Sequence, residues 1–441
     1  MKLLLAALSG VRVYNQALLE LGLTLPGFVE RSQVIASLPS LGLLTLAALT
    51  PPNWEVVYRD FDAVGESELL WIEQQGFDLV AISALTARIL EAYRIADLIR
   101  GYGGTVVLGG LHVTALPWEA QAHADALVVG EGEPVWAELL QDYQAGRLQP
   151  VYNSQSRSRR DYHLSESPLP AYELLRLENY NRLTLQTTRG CPLDCEFCAA
   201  SRMLSFYKKK PLERIRAEVE RILELWPRPF LELADDNTFV SKPWGRSLAE
   251  LLAEYPLKWF SECDISVADD EELLEILARS NCAQLLIGLE AAEPEALQHL
   301  DSRNWKYDQF EAYQRKIDKI QSYGISVNGC FILGLDSHTP SSFEVMREYL
   351  ASSSLAEVQI TLLTPFPGTA LERRLRREDR LLKSVYWEQC TLFDVTFRPK
   401  NMGPEELEAG FMDLMTSTYT ESARARRAGI FRQCRRDRRS A

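Results

Sequence analysis

The 441-residue sequence predicts an α/β fold built from two successive parallel sheets. The first is an N-terminal doubly wound parallel sheet. The second is a partial six-unit β/α barrel, followed by a small C-terminal cap. Three observations carry this. Short apolar runs alternate with helix-period runs along both halves. Nearly every strand-like run ends in glycine or a polar residue. Between Leu148 and Pro170 the alternation stops, in a stretch rich in Ser, Arg and Pro that reads as a linker. The expected organisation is residues 1–146, a linker over 147–180, a barrel over 181–370, and a cap with a basic tail over 371–441.

In the first half, Lys2–Ala7, Trp54–Arg59, Phe77–Ser83, Gly104–Leu108 and Ala126–Val129 read as strands. Leu38–Leu49, Glu66–Gln75, Ala87–Arg100 and Val135–Tyr143 read as the helices between and after them. Two strands end in Gly109-Gly110 and Gly130-Glu131-Gly132-Glu133, where glycine lets a ligand approach the backbone closely. In the second half, strands are expected at Leu183–Thr188, Phe230–Leu233, Lys258–Ser261, Gln284–Gly288, Ile325–Leu333 and Val358–Leu363. The helix Pro211–Trp226 places Leu212, Ile215, Val219, Ile222, Leu223 and Trp226 on one face.

Charge excludes one class of function. Lys plus Arg number 48 against 61 Asp plus Glu, a formal net charge of −13, which argues against a general nucleic-acid surface. The C-terminus departs from this, with Arg424, Arg426, Arg427, Arg432, Arg435, Arg436, Arg438 and Arg439 crowded together. They read as a solvated helix end, or as a peripheral contact to a phosphate or membrane surface. The apolar start Met1–Leu8 reads as a buried first strand rather than a signal peptide. No apolar run approaches the ~20 residues of a membrane span. The expected location is the cytoplasm, where clustered cysteines point to metal or redox chemistry.

That cluster is Cys191, Cys195 and Cys198, three of the eight cysteines, in the loop Gly190–Cys198 at the end of a predicted strand. An iron–sulfur cube normally takes four thiolates. Three in one tight loop can hold three corners and leave one iron open to an outside ligand. Zinc is the rival, but this half offers no matching Cys-x-x-Cys or His pair.

Cys191-x3-Cys195-x2-Cys198 with Phe197 resembles the signature of the radical S-adenosylmethionine (SAM) superfamily. The similarity continues through Asp235-Asp236-Asn237, Ile287-Gly288-Leu289-Glu290, Phe331–Asp336 and Pro365–Thr369. Asp236 departs from the superfamily's Glu at that position. In the first half, Ser83-x-Leu85 followed by Gly109-Gly110 resembles the tail of the cobalamin-binding motif of methionine synthase and its relatives. Gly42, about forty residues before Ser83, takes the place of the motif's first glycine. Ser37 and Pro39 then stand at its Asp and His positions, so the histidine that ligates cobalt from below is absent. The stretch Gly109–Pro117 with Gly130–Glu133 is similar to cobalamin domains fused to radical SAM enzymes.

The resemblance implies a [4Fe-4S] cluster on the three cysteines, SAM chelated to the open iron, and a 5′-deoxyadenosyl radical that takes hydrogen from an unactivated carbon. It implies SAM contacts from Phe197, Asp236 and Glu290. Asp236 and Glu290 could equally be strand-end caps and structural partners. It implies cobalamin contacts from Ser83, Gly109, Gly110, His112 and Gly130, with a loop-capping role as the alternative for His112. It also implies a small-molecule substrate and an electron donor such as flavodoxin or ferredoxin. Methyl transfer to carbon is the expected outcome, with ring formation, ring contraction or oxidation of a lipid, tetrapyrrole or natural product as the alternative, and a cluster- and corrinoid-binding protein without turnover as a third reading. The region after Leu371, with Trp387, Phe393, Phe397 and the helix Pro404–Ser417, is expected to form either a lid over the barrel mouth or a stabilising flank. No acid–base catalytic residue is identifiable.

Overall fold

The computed structural model describes residues 1–8, 10, 38–155, 162–199 and 205–440, with backbone only for 437–440. The motif position Ser37 and the linker residues Ser156–Arg160 lie outside the described residues, as do the side chains of Arg438 and Arg439.

The first sheet contains β1 (Lys2–Leu8), β2 (Glu55–Asp60), β3 (Leu79–Ala84), β4 (Thr105–Gly109), β5 (Ala126–Val129) and β6 (Val151–Asn153). All pairings are parallel, in the order β2-β1-β3-β4-β5-β6. The order reverses at β1, so helices cover both faces. Leu4, Val80 and Val106 point into one core, and Leu3, Leu79 and Val107 into the other. Strand β6 falls in the stretch expected to be linker. Its three residues are too short to show a period, and they pair through Leu127↔Val151.

The second sheet runs β14-β13-β12-β11-β10-β7 without reversal. Its strands are β7 (Leu183–Leu185), β10 (Phe230–Leu233), β11 (Lys258–Cys263), β12 (Cys282–Glu290), β13 (Ser326–Leu333) and β14 (Glu357–Leu362). Unbroken order in a twisted parallel sheet curls it into a barrel wall, here six strands with a gap between β7 and β14. The expected strand Leu183–Thr188 is broken after Leu185. Its last residues form β8 (Thr188–Arg189), which pairs antiparallel with β9 (Lys208–Lys209). The cause is Asp235, whose carboxylate accepts from the backbone N–H of Thr187 at 2.7 Å and of Thr188 at 2.8 Å, turning the chain off the sheet.

The C-terminal segment acts as a flank along the gap. On the free edge of β14, Leu362 N–H donates to Leu392 O at 2.7 Å and the Tyr419 hydroxyl donates to Val358 O at 2.7 Å. An edge that would otherwise present unpaired groups is thereby covered. Tyr386, Trp387 and Cys390 bury themselves against the first sheet. The basic run forms the helix Glu421–Ser440. Arg427 is buried in it, while Arg424, Arg426, Arg432, Arg435 and Arg436 stay exposed. Among the described residues no helix is long and apolar enough to cross a membrane.

Candidate functional site

The carboxyl ends of both sheets face one cavity of about 320 Å³. From the first sheet it is lined by Ser83, Gly109, Gly110 and Gly130, with Gly42 and Leu46 from the helix Leu41–Leu49. From the second it is lined by Gln186, Arg189, Gly190, Ala234 and Asp236.

Two glycines on this wall, Gly110 and Gly130, are required sterically. Gly110 has φ +105°, and a Cβ there would meet Ser83 Oγ at 3.1 Å. Gly130 has φ +87°, and a Cβ would overlap Ser154 Oγ at 2.5 Å and Gln155 Cγ at 2.7 Å. Around Gly109, Gly110 and Gly130 the wall is backbone, a shape that lets a broad planar group approach closely. No histidine lines the cavity among the described residues. His112 is not brought to it. Its side chain is fully buried behind the wall, with Nε2 at 3.2 Å from Glu119 Oε1 and its ring edge-on to Trp387 at 5.2 Å. Trp387 Nε1–H in turn donates to Glu119 Oε2 at 3.1 Å. Pro39, at the motif's histidine position, is buried.

The opposite wall is built from side chains. Asp236 Oδ2 accepts from Gly190 N–H at 2.8 Å, which fixes the start of the cysteine loop. Burial pushes the Asp236 carboxyl up, and the Gly190 N–H only partly offsets it. Asn237 Nδ2–H donates to Asp264 Oδ2 at 2.9 Å and lies 3.9 Å from Cys191 Sγ. Burial pushes the Cys195 thiol up to about 12, opposed by Lys306 and reinforced by Glu290 and Cys198. Cys191 is pushed up for the same reason, with Cys198 and Asp236 adding to it. The structure thus brings Cys191, Cys195, Cys198, Asp236 and Glu290 into one neighbourhood.

Glu290 sits at φ +67° beside a register shift between β12 and β13. Its Oε1 is 2.7 Å from Lys306 Nζ, which also donates to Gly288 O at 2.9 Å. Burial alone would depress Lys306, but Glu290 and Cys195 hold its ammonium well above the ordinary value. Phe197 packs against the barrel core and does not line the cavity.

Two ion-pair sets at the site centre on Arg189 and on Glu196 with Arg374, residues singled out by no reading of the sequence. Arg189, next to the cysteine loop, reaches across to the first sheet. Its Nη1 is 2.8 Å from Glu131 Oε1 and its Nη2 is 2.7 Å from Glu133 Oε1. Lys208 adds a second cation on Glu131 at 3.0 Å. Glu196, inside the loop, pairs with Arg374 at 2.6 Å, and Arg374 also holds Asp336 at 2.6 Å. Their signal in the sequence was only their position beside Gly190 and between cysteines.

Among the described residues no group of three or more His, Cys, Asp or Glu side chains converges on a single metal ion. A cube spreads its thiolate ligands over separate corners, so three thiols on one loop are the donor set that suits it. Cys263, Cys282, Cys330 and Cys390 lie on other elements and supply no fourth ligand within the loop.

Comparison with known proteins agrees with this arrangement. The family model of the radical SAM superfamily matches residues 185–350, and that of the B12 binding domain matches residues 33–140. The chain belongs to the radical SAM superfamily, in the branch that carries a cobalamin-binding domain. A domain of unknown function (DUF4070) matches residues 369–440. The chain is similar to bacteriochlorophyllide d C-12(1)-methyltransferase of Chlorobaculum tepidum, 28% identical over 87% of this chain and 83% of that protein. It is similar to hopanoid C-2 methylase of Rhodopseudomonas palustris, 28% identical over 79% of this chain and 66% of that protein. The radical SAM methyltransferase TsrM of Kitasatospora setae, solved with cobalamin and a [4Fe-4S] cluster, has the same fold. It superposes with a TM-score of 0.70 and 16% identity, covering 99% of this chain and 100% of that one.

Proposed function

We propose that this protein is a cobalamin-dependent radical SAM enzyme that methylates an unactivated carbon of a small organic molecule. The observation that carries the reading is the shared cavity, in which the bare-backbone wall of the B12-type sheet faces the cysteine-loop wall of the barrel. When bound, the cluster with SAM supplies a carbon-centred radical, and cobalamin supplies the methyl group.

Each wall suits its cofactor. Cys191, Cys195 and Cys198 would hold the cluster, and Asn237 beside Cys191 would orient the first thiolate. Asp236 and the Glu290–Lys306 pair would receive the polar end of SAM. Gly109, Gly110 and Gly130 would receive the corrin face, with no protein imidazole from the motif position. Arg189, between Glu131 and Glu133, holds the two walls in register and excludes water from the junction. An external reductant of the flavodoxin or ferredoxin type would supply the electron. Arg424 and Arg432, exposed on the last helix, would make a peripheral contact, and the cytoplasm is the setting this reading assumes.

The test is anaerobic reconstitution with iron, sulfide and cobalamin, then SAM, a strong reductant and bacteriochlorophyllide d as probe substrate. A product heavier by one CH2, formed together with 5′-deoxyadenosine, is expected. A product of changed hydrogen content without the CH2 would assign oxidation or ring closure instead. No 5′-deoxyadenosine from cluster-loaded protein would sink the radical reading altogether.

A further inference from the structure

The hydroxyl of Tyr207 is a donor without an acceptor. Its oxygen is buried and makes no hydrogen bond among the described residues. Buried polar groups of this kind are almost always partnered in folded proteins. The ring helps to line a second cavity, of about 470 Å³, together with Tyr162, Phe206 and Lys209. The hydroxyl end is closed off from solvent, so the side chain runs inward from that cavity.

Strand pairing brings Tyr207 to the cysteine loop. In the β8–β9 pair Thr188 stands opposite Lys209 and Arg189 opposite Lys208. The pairing is antiparallel, so the next residues along are Gly190 and Tyr207. The backbones touch there: a Cβ on Gly190 would lie 2.8 Å from Phe206 C and 2.9 Å from Phe206 O. Cys191 follows directly. Two ionisable groups are close enough to act on the Tyr207 hydroxyl, Asp235 and Cys191.

Asp235 has no acceptor site left. Its Oδ1 takes Thr187 N–H at 2.7 Å and Thr188 N–H at 2.8 Å. Its Oδ2 takes the Thr238 hydroxyl at 2.9 Å and the Thr187 hydroxyl as well. A carboxylate offers about four lone-pair sites, and all are used. Cys191 Sγ remains. Asn237 Nδ2–H and Leu193 N–H already point at this sulfur. A thiol is only a weak acceptor. The thiolate that binds iron carries charge and accepts more strongly.

We propose that Tyr207 is a positioning residue of the cluster, donating its hydroxyl hydrogen bond to the Cys191 thiolate and raising the cluster's reduction potential. The inference rests on the cluster assignment made above and goes beyond it by naming what helps the cluster accept an electron. Hydrogen bonds to the sulfurs and net charge both set such potentials. A donor at a sulfur favours the reduced, more negative state. The carboxylates act the other way: Asp236 lies by Cys191, and Glu290 and Asp301 lie by Cys195. Lys306 offsets them at Cys195. At Cys191 the neutral donors Asn237 and Tyr207 do so.

The test needs neither SAM nor substrate, so its outcome is separable from that of the methylation assay. The cluster-loaded protein is titrated with reductant at controlled potential, and the EPR signal of the reduced cluster is followed. Tyr207→Phe keeps the ring and removes the hydroxyl. At the wild-type midpoint its ratio of reduced to oxidised cluster should be at least threefold lower, a downward shift of about 28 mV for a one-electron couple. Tyr162→Phe is the control, because Tyr162 lines the same cavity but faces Glu131 and Glu133. Its midpoint should not move. Wild type grown on tyrosine carrying a magnetic oxygen isotope in the hydroxyl should show a hyperfine coupling of that oxygen to the reduced cluster. An unmoved midpoint in Tyr207→Phe, an equal shift in Tyr162→Phe, or no oxygen coupling in wild type would each overturn the assignment. The last needs no variant, so a Tyr207→Phe chain that fails to fold does not rescue the proposal. Protein that takes up no iron and sulfide would end the cluster reading, and this inference with it.

Discussion

The two parallel sheets end in opposite ways. At the carboxyl edge of the first, side chains are removed: Gly109, Gly110 and Gly130 leave backbone facing the cavity, and Gly110 and Gly130 hold φ values that other residues resist. At the carboxyl edge of the second, side chains are concentrated: the cysteine loop, Asp235, Asp236, Asn237, Asp264 and Glu290 crowd the strand ends. Strand order differs in the same sense. The first sheet reverses at β1, and the cavity lies on one side of that switch, at the ends of β3, β4 and β5. The second never reverses and curls into a lumen. A corrin needs area and shape, which backbone provides. A cluster and an amino-acid-like ligand need thiolates and charges, which only side chains provide.

The largest expected effect comes from treating the two edges as independent. Cys195→Ala should lose the cluster's absorbance and drop 5′-deoxyadenosine formation at least ~1000-fold, since the cofactor carries the difficult step, while bound corrin stays near the wild-type amount. Gly130→Ala should do the reverse. It puts a Cβ on Ser154 Oγ at a φ of +87°, costing roughly 1–2 kcal/mol in conformation alone. Corrin content should fall about tenfold while iron and sulfide stay in place. Metal and corrin analysis of the two purified proteins checks both. Loss of both cofactors in either variant would mean the edges are not separate sites.

The second effect lies at the joint between the edges. Arg189 carries two buried carboxylates, with side-chain exposures of 16% for Arg189, 4% for Glu131 and 9% for Glu133. Burial alone would raise Glu133, but Arg189 pulls its carboxyl below the ordinary value. Arg189→Gln leaves Glu133 without its partner, and breaking such a pair costs about 3–5 kcal/mol. Glu133→Gln added to it should return a substantial part of that loss. Urea unfolding of the two single variants and the double variant measures the coupling. Additive losses would show that the joint is not an ion pair in solution.

Legibility divided along the same line. Both sheets, most helices and the cysteine loop were readable because they repeat a period or match a motif at short range. Ser83, Gly109, Gly110 and Gly130 on one wall and Asp236 on the other meet at the cavity, as strand-end placement led one to expect. What was not readable is what side chains do across long separations. Arg189 with Glu131 is a pairing of residues 58 apart, and Glu196 with Arg374 one of residues 178 apart. Nothing local marks either. Strand β6 escaped because three residues show no period, and β8 because Asp235, 47 residues on, turns its backbone. His112 was legible as a special residue next to Gly109-Gly110, but not the direction it faces. It turns behind the wall because Glu119 and Trp387 wait there.

The smallest effect sharpens what holds the first sheet to the C-terminal segment. Glu119 accepts from Trp387 Nε1–H and lies beside His112 Nε2, with its side chain 27% exposed. Burial tends to raise its carboxyl, but the bonds from His112 and Trp387 prevail and hold it below the ordinary value of 4.5. A carboxyl depressed in the folded state contributes stability above its unfolded pKa and loses it as pH falls through the folded value. Docking of Trp387 should therefore be unchanged at neutral pH and weaken below about pH 4.5. The magnitude is modest, about 1 kcal/mol for a charge-assisted bond with some solvent exposure. Hydrogen exchange over residues 386–390 should rise in wild type as acid is added, and should already be raised and flat with pH in Glu119→Gln. A wild-type segment equally protected on both sides of that pH would assign the docking to apolar burial of Tyr386, Trp387 and Cys390 alone, placing this contact with the bare-backbone wall as a matter of shape rather than charge.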